Sequence, residues 1–323
     1  MAKSTTSSKP RTLAERESFG YKFRTFFSRY WMFHLMVLPG LLYFLVFKYL
    51  PMYGLIISFK NYKGAVGGIK AIFDADWVGL RHFKTFFSSN QFPRLMKNTI
   101  SLSLLRLLFC FPAPIILAVL LNEVRIRSFK KATQTITYMP YFLSWVVVSG
   151  LLQILVGTEG PLNALLSQFG IKPIVFMTST KYFRALLILS ELWKTVGYGT
   201  IVYLAAISNV DVQQYEAAEL DGANKFQQIF HITIPAISEI IAIMLILQMG
   251  RILSDNFEQI YTMYSPAVYE VADVFDTYIY RVGIVDSNFS YTTAVSFFKS
   301  LVSLLLILLT NKATKKLGSS GLF

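Results

Sequence analysis

The sequence is poor in the residues on which soluble and disulfide-stabilised proteins depend. Only 15% of its 323 residues are charged, whereas a soluble domain carries about 25%. It has a single cysteine, so no disulfide can form within the chain, and its three histidines are dispersed, which leaves no metal-binding cluster. Apolar residues, in contrast, make up 54%. This composition excludes a disulfide scaffold and a disordered chain, and it indicates a protein that crosses a membrane several times.

The sequence also lacks a phosphate-binding loop. Segment 64–70 contains glycines and a lysine, but their spacing is wrong and no hydroxyl residue follows the lysine. No combination typical of a catalytic triad is present, and no metal site is predicted. The chain is therefore expected not to be an enzyme, and any ATP that drives it must be hydrolysed by a partner.

Six apolar stretches are long enough to cross a bilayer, which takes roughly 20 helical residues. They cover residues 32–59, 100–121, 136–156, 185–207, 232–253 and 292–310. Prolines such as Pro112, Pro140 and Pro235 fall within several of them. Because proline leaves a backbone carbonyl that lipid cannot satisfy, these helices are expected to pack in a bundle. The sequence predicts an all-α membrane protein with six transmembrane helices.

Basic residues flank these stretches. The net charge is +13, but no basic stripe with interleaved aromatic residues stands apart from the apolar stretches, so nucleic acid is not an expected partner. Lysine and arginine accumulate on the cytoplasmic side of membrane proteins. The N-terminus, segment 125–131 and the C-terminus are all basic, so we predict that both termini are cytoplasmic.

The predicted cytoplasmic loop between the fourth and fifth stretches carries the most informative pattern. Asp211 can cap a helix that continues to Leu220. Gly222 then permits a bend before a second short helix over 224–230. Glu216 offers a charge on the first helix, and the adjacent alanines permit close approach of another backbone. The residues alone leave two readings open: a knob that docks into a partner protein, or an amphipathic loop that lies on the membrane.

This loop resembles the Glu-Ala-Ala signature of importer-type ABC permeases. The matching positions are Glu216, Ala217, Ala218, Gly222, Ile232, Ile234 and Pro235, and only Ile234 departs from the family's leucine. Segment 77–80 is similar to the outer loop of maltose-type sugar permeases. Segments 257–260 and 271–274 resemble the subgroup that imports oligosaccharides and polysaccharides. That subgroup includes alginate importers, whose large permease subunit this chain resembles, and importers of neutral and pectic sugars.

The resemblance implies the architecture of a type I importer permease. It implies a cytoplasmic segment over 1–30, a transmembrane permease domain over 31–311 with a coupling loop at 211–235, and a cytoplasmic tail over 312–323. The coupling loop would enter a cleft in a cytoplasmic ATPase, where Glu216 would meet a basic residue. The residues implied in ATPase coupling are Glu216, Ala217, Ala218, Asp221, Gly222 and Phe226.

The resemblance also implies the partners. They are a second permease that completes a heterodimer, two copies of the ATPase, and an extracellular or periplasmic sugar-binding protein, assembled at the bacterial cytoplasmic (inner) membrane. ATP and Mg²⁺ would be bound by the ATPase, and this chain would bind no cofactor. The protein would form half of the path for an oligo- or polysaccharide, with an acidic, alginate-like cargo as one option.

Polar residues within membrane spans suggest a substrate path, because they are costly there. The predicted path residues are Gln153, Lys194, Gln248, Arg251, Asn256, Glu258 and Lys299. Internal pairing, of Glu191 with Lys194 or of Arg251 with Asp255, is the competing interpretation. A second hypothesis uses these charges as an ion relay in a secondary transporter driven by an ion gradient. A third hypothesis makes the chain a scaffold that transports nothing.

The last outer loop, residues 254–291, is acidic. It contains six carboxylates against the single basic residue Arg281. The sequence allows either a docking surface for a partner or a loop that is merely solvated.

Overall fold

The computed structural model describes residues 29–62, 64, 68–253 and 257–316 of the chain. The predicted path residue Asn256 and the predicted pairing residue Asp255 lie outside the described residues, as does most of the predicted N-terminal segment. By its internal contacts the chain divides into two units, Met1–Ile56 and Ile57–Phe323.

The described part of the first unit belongs to one long helical segment. Helix α1 (Trp31–Phe44) continues through a π-helical turn (Leu45–Tyr49) into a 3-10 helix (Leu50–Phe59). Pro51 lies just after the π turn. A proline ring clashes with the carbonyl four residues earlier, so a change of helical pitch at this point relieves the clash.

The second unit is built from helices. Among its described residues the only strand-like feature is an isolated bridge between Lys60 and Trp77. The α-helices are α2 (Gly68–Asp74), α3 (Arg81–Phe87), α4 (Gln91–Phe109), α5 (Pro112–Glu123), α6 (Arg127–Tyr138), α7 (Trp145–Val156), α8 (Pro161–Gln168), α9 (Phe183–Ser208), α10 (Val212–Leu220), α11 (Lys225–Gln228), α12 (Ile234–Ala236), α13 (Ser238–Arg251), α14 (Phe257–Met263), α15 (Tyr269–Ala272), α16 (Phe275–Ile279) and α17 (Phe289–Lys316). Shorter 3-10 segments are Met139–Phe142, Phe176–Thr178 and Pro266–Val268, and π segments are Ile229–Thr233 and Tyr280–Val285.

Five segments of the described chain are long and apolar enough to span a membrane. They are Trp31–Phe59, Gln91–Glu123, Trp145–Gln168, Phe183–Ser208 and Phe289–Lys316. A sixth arises when Lys225–Ala236 and Ser238–Arg251, which meet at an angle of 61°, are taken as one broken span. The predicted all-α, six-span architecture is thus confirmed.

The predicted start of the third span was wrong. The third span begins at Trp145 rather than at residue 136, because residues 127–138 form the separate helix α6. Pro140 disfavours α-helix in the residue before it, and Ser144 caps the new helix by accepting a hydrogen bond from the Val147 N–H at 3.3 Å. The fifth span includes the predicted start at residue 232 but bends at Ile237, after which the straight helix begins at Ser238.

Glycines in α9 set how closely the neighbouring elements approach it. A Cβ atom at Gly197 would lie 2.1 Å from the backbone oxygen of Thr137, at the end of α6. A Cβ atom at Gly199 would lie 3.0 Å from the ring of Pro114 in α5. Thr200 reinforces the second contact by donating a hydrogen bond to the Pro114 carbonyl at 3.2 Å. Small residues at helix crossings permit this close packing in membranes.

We expect Gly197→Ala to destabilise the protein by about 1–3 kcal/mol, because the new methyl group collides with backbone that cannot rotate away. Gly150→Ala in α7 is the matched control, since no atom lies within 4 Å of the position its Cβ would occupy. Thermal unfolding of both variants in detergent measures the effect. Equal melting temperatures of the two variants would contradict the close contact between Gly197 and the Thr137 backbone.

Candidate functional site

The loop between α9 and α13 is held in shape by its own capping residues. Asp211 caps α10 by accepting a hydrogen bond from the Gln213 N–H at 3.0 Å, as the sequence predicts. Asn224 and Gln227 form a reciprocal capping box at the start of α11, with hydrogen bonds of 2.9 and 2.7 Å. These short-range bonds satisfy N–H groups that a helix start otherwise leaves open. The two helices therefore begin at fixed positions.

Gly222 provides the bend between the two helices. Its φ of +80° is in the left-handed region, which residues with a Cβ atom rarely adopt. The Gly222 N–H bonds the Glu219 carbonyl at 3.1 Å, and the Ala223 N–H bonds the Ala218 carbonyl at 2.8 Å. This pair of bonds is a Schellman motif that closes the C-terminus of α10. The predicted helix–glycine–helix geometry is present.

Side chains then join the two helices into one elbow, defined here as residues 211–235. Lys225 Nζ donates to Glu219 Oε1 and to Gln228 Oε1, both at 2.9 Å. The hydrogen bond from Lys225 lowers the pKa of Glu219, and the charge of Arg125 adds to this effect. Glu219 is therefore ionised and paired at neutral pH.

The base of the elbow is linked to the transmembrane helices. The Tyr215 hydroxyl and the Thr233 hydroxyl are 2.9 Å apart, which connects α10 to the π-helical segment before span five. Below them an apolar cluster joins the elbow to α5 and α9 through residues that include Ala118, Ile207 and Ile237. These contacts connect α10 to the start of α13.

The outer surface of the elbow is available for a partner. Phe226 is 75% exposed and Leu220 is 90% exposed. Among the described residues Glu216 has no ion pair, whereas its neighbour Glu219 is paired. Ala217, Asp221 and Gly222 are also exposed, and Ala218 is half-buried. Exposed large apolar residues beside an unpaired carboxylate are typical of a protein interface.

A cavity of about 360 Å³ lies between spans two, four and five. Polar groups on its wall belong to Glu191, Gln248, Arg251, Tyr198 and Tyr203. Among the described residues the Arg251 side chain makes no ion pair or hydrogen bond; its predicted partner Asp255 lies outside them. The ring of Tyr198 stacks on that of Tyr141 with centroids 3.8 Å apart.

The cavity is supported by a buried ion pair that the sequence did not reveal. Arg106 Nε donates to Glu191 Oε2 at 2.6 Å, and Arg106 Nη2 donates to Gln259 Oε1 at 3.1 Å. Gln259 Nε2 in turn donates to the Leu187 carbonyl at 2.7 Å and to the Ser190 hydroxyl at 2.9 Å. This network connects α4, α9 and α14 in a region where no lipid group could satisfy it.

Lys194 does not pair with Glu191, so that interpretation was wrong. Its Nζ donates to the Tyr141 carbonyl at 2.8 Å and lies 5.3 Å from the ring centroid of Trp145. The helix break before Trp145 leaves the Tyr141 carbonyl without a helical partner, and the buried lysine supplies one. Lys194 therefore stabilises the start of span three.

Of the other predicted path residues, only two line the cavity. Gln248 and Arg251 come together at the cavity. Gln153 and Glu258 are exposed in the isolated chain, and neither lines the cavity. Lys299 pairs with Asp276 beside a separate, apolar pocket.

Two carboxylates of the acidic loop 254–291 form ion pairs with other parts of the protein. Asp273 is fully buried and accepts from Arg281 Nη2 at 2.6 Å and from Arg94 Nη2 at 3.1 Å. Asn98 Nδ2 donates to the Asp273 carbonyl at 3.0 Å, and Asp276 pairs with Lys299. These two carboxylates therefore belong neither to a docking surface nor to a solvated loop. They attach the loop to α4 and α17. The paired residues are far apart in the sequence, so residue spacing could not predict these ion pairs.

Comparison with known proteins identifies the class. The family model described as "Binding-protein-dependent transport system inner membrane component" matches residues 110–317. The chain belongs to this family: it is a multi-pass, non-catalytic permease subunit of an ABC importer. The hypothesis of a secondary transporter driven by an ion gradient was therefore wrong.

Individual relatives are similar over almost the whole chain. The polygalacturonan/rhamnogalacturonan transport system permease YteP of Bacillus subtilis (strain 168) is 46% identical, over 90% of this chain and 89% of the relative. Protein LplB of the same organism is 45% identical over 90% of each chain. A solved bacterial ABC transporter involved in import of the acidic polysaccharide alginate contains a chain that is 40% identical. Its TM-score is 0.85, with 91% of this chain and 99% of that chain covered.

A double-substitution cycle tests the buried network. Arg106→Met leaves the Glu191 carboxylate buried without its counter-charge, so we expect the free energy of unfolding to fall by about 3–5 kcal/mol. Arg106→Met/Glu191→Met removes both charges and should be more stable than Arg106→Met alone. Denaturant unfolding of the purified chain in detergent micelles measures all variants. Strictly additive effects of the two single substitutions would contradict the pairing.

Proposed function

We propose that this permease imports an acidic oligo- or polysaccharide and couples to a cytoplasmic ATPase through the elbow. The observation that carries the coupling proposal is the elbow itself. It is a capped, internally bonded structure with exposed apolar side chains and with Glu216, which has no ion pair within the described ranges, and its base is bonded to span five. Such a structure can move as a rigid body when the bound ATPase changes conformation.

The proposed assembly follows from the family. It consists of this chain, a second permease, two ATPase copies that bind ATP and Mg²⁺, and an external sugar-binding protein. A second solved structure supports the last of these partners: an alginate ABC transporter in complex with an alginate pentasaccharide-bound periplasmic protein, in which a chain is 40% identical to this one with a TM-score of 0.85. Placing the elbow on the ATPase side requires both termini to be cytoplasmic, as the basic flanks predict.

The acidic cargo is supported by two independent observations. Relatives of this chain carry names or titles that refer to polygalacturonan and alginate, both of which are acidic. The transmembrane cavity presents the guanidinium of Arg251, which pairs with no carboxylate in the described part of the chain, whereas the other charged group on its wall, Glu191, is neutralised by Arg106. The wall therefore has a net positive charge that a carboxylate of the cargo would complement. Gln248 and the tyrosines would contact sugar hydroxyls and ring faces.

We expect Glu216→Lys to release the ATPase from the assembly, because it reverses the charge at the proposed contact. The measurement is affinity capture of this chain after gentle detergent extraction, with mass identification of the captured subunits. Gln214→Lys is the control, since it adds a lysine to the opposite face of the same exposed helix. Retention of the ATPase by Glu216→Lys, or equal loss from both variants, would remove the coupling role.

We expect Arg251→Gln to weaken binding of a short oligogalacturonate by about 10- to 100-fold, the range for loss of a hydrogen bond to a charged group. Equilibrium dialysis with the purified permease–ATPase assembly, without the sugar-binding protein, isolates this site. Lys181→Gln on an exposed loop is the control for net charge, and a neutral oligosaccharide of equal length is the control ligand. Unchanged oligogalacturonate binding would exclude Arg251 from the path.

A further inference from the structure

Three arginines gather around one carboxylate of the loop after span five. Arg94 and Arg281 both donate hydrogen bonds to the buried Asp273. Arg184 joins them through Asn98, whose Oδ1 accepts from Arg184 Nη2 at 2.9 Å and whose Nδ2 donates to the Asp273 carbonyl at 3.0 Å. We call the three arginines and Asp273 the arginine cluster. None of the four residues lines the cavity or belongs to the elbow.

The arginine cluster has more positive charge than its carboxylate can balance. Arg184 pairs with no carboxylate in the described part of the chain, and its Nε donates to the neutral Val271 carbonyl at 2.9 Å. The exposed Glu270 pairs with none of the three arginines. Arg94 Nε is buried and has no hydrogen-bond partner among the described residues. Because an unbalanced, partly buried cation is costly, the excess charge and the open donor indicate a second anion.

The position of the arginine cluster relates it to the cavity. Arg184 lies in the first turn of α9 and the elbow follows the last turn, so the cluster is at the end of span four opposite to the elbow. Along α9, Arg184 precedes Glu191 by seven residues, which places both on one face about 10 Å apart. Along α4, Asn98 precedes Arg106 by eight residues, or about 12 Å. The two helices that hold the buried pair beside the cavity therefore also hold the arginine cluster.

Tyrosine rings continue from the arginine cluster toward the cavity. The guanidinium carbon of Arg281 lies 4.3 Å from the ring centroid of Tyr269. The centroid of Tyr264 is 4.9 Å from that of Tyr269 and 6.0 Å from that of Tyr261. Tyr261 is 40% exposed and lies on α14, whose Gln259 belongs to the buried network that supports the cavity. Aromatic side chains with a few placed polar groups are typical of ligand sites.

We propose that the arginine cluster binds a carboxylate of the acidic cargo before the cargo reaches the cavity. The proposal rests on the proposed function and adds a second binding site to the path. Arg94 and Arg281 are 31% and 24% exposed, so a ligand can reach them. Arginine suits this role because its N–H groups match the two oxygens of a carboxylate. Asp273 balances one of the three charges, which keeps the contact weak enough for release.

Substitution of Arg184 tests the site, because this arginine holds no carboxylate of the protein. We expect Arg184→Gln to weaken binding of oligogalacturonate about tenfold, the effect of losing a hydrogen bond to a charged group. The measurement is equilibrium dialysis with the purified permease–ATPase assembly in neutral detergent, without the sugar-binding protein. Lys181→Gln is the matched control, since it removes the same charge from an exposed position three residues away. It should leave the affinity unchanged.

A second measurement locates the ligand without any substitution. Phenylglyoxal modifies accessible guanidinium groups, and mass spectrometry of the digested chain reports the extent of modification at each arginine. We expect oligogalacturonate to slow the modification of Arg94 and Arg184, and a neutral oligosaccharide of equal length to have no effect. Arg81, which is exposed on α3, is the internal reference and should react at the same rate throughout. Phosphatidylglycerol added to the micelles should protect none of them.

The outcomes separate this site from the proposed function. Protection of Arg251 but not of Arg184 would retain the cavity as the sugar site and overturn the role of the arginine cluster. Protection of neither would overturn both. Protection of Arg184 by phosphatidylglycerol alone would assign the cluster to a lipid headgroup. Equal loss of affinity in Arg184→Gln and Lys181→Gln would reduce the effect to net charge.

Discussion

The interaction on which the transmembrane part depends is the buried pair of Arg106 and Glu191. Within a bilayer no water is available to an unpaired charge, so each ion must find its partner inside the protein. Arg106 meets this requirement by reaching both α9 and, through Gln259, α14. The pair fixes the relative positions of these helices. It also neutralises Glu191, and this leaves Arg251 to set the charge of the cavity.

The two ends of the chain's second unit are held together in different ways. In the loop after span five, buried Asp273 binds two arginines, and Asp276 binds Lys299, so ion pairs attach the loop to the spans. At the elbow, the bonds are mostly internal, and the link to span five is one hydroxyl pair above an apolar cluster. Helices in apolar contact can shift against each other without breaking ion pairs, whereas moving the loop would require its ion pairs to separate. This difference favours movement at the elbow while the outer loop keeps its shape.

The sequence predicted the features that depend on near neighbours. The Asp211 cap and the bend at Gly222 each involve residues only a few positions apart, so their spacing identifies them. The Arg106–Glu191 pair joins residues 85 positions apart, and composition gives no sign of which span the arginine faces. Lys194 was misassigned for the same reason: Glu191 is one turn away in sequence, but the Tyr141 carbonyl, exposed by the helix break near Pro140, accepts the hydrogen bond from Lys194.

The dimensions of the cavity constrain how a long cargo could pass. Ligand cavities range from about 300 to 1,000 Å³, and this one, at about 360 Å³, is near the lower limit. It can contact only a short part of a polysaccharide at a time. Under the proposed function, the one guanidinium on its wall, that of Arg251, suits repeated, weak binding of successive carboxylates, because several cations would bind the polysaccharide too tightly to let it move. Under the proposed function, the cavity is one point of contact along a path that a second permease would complete.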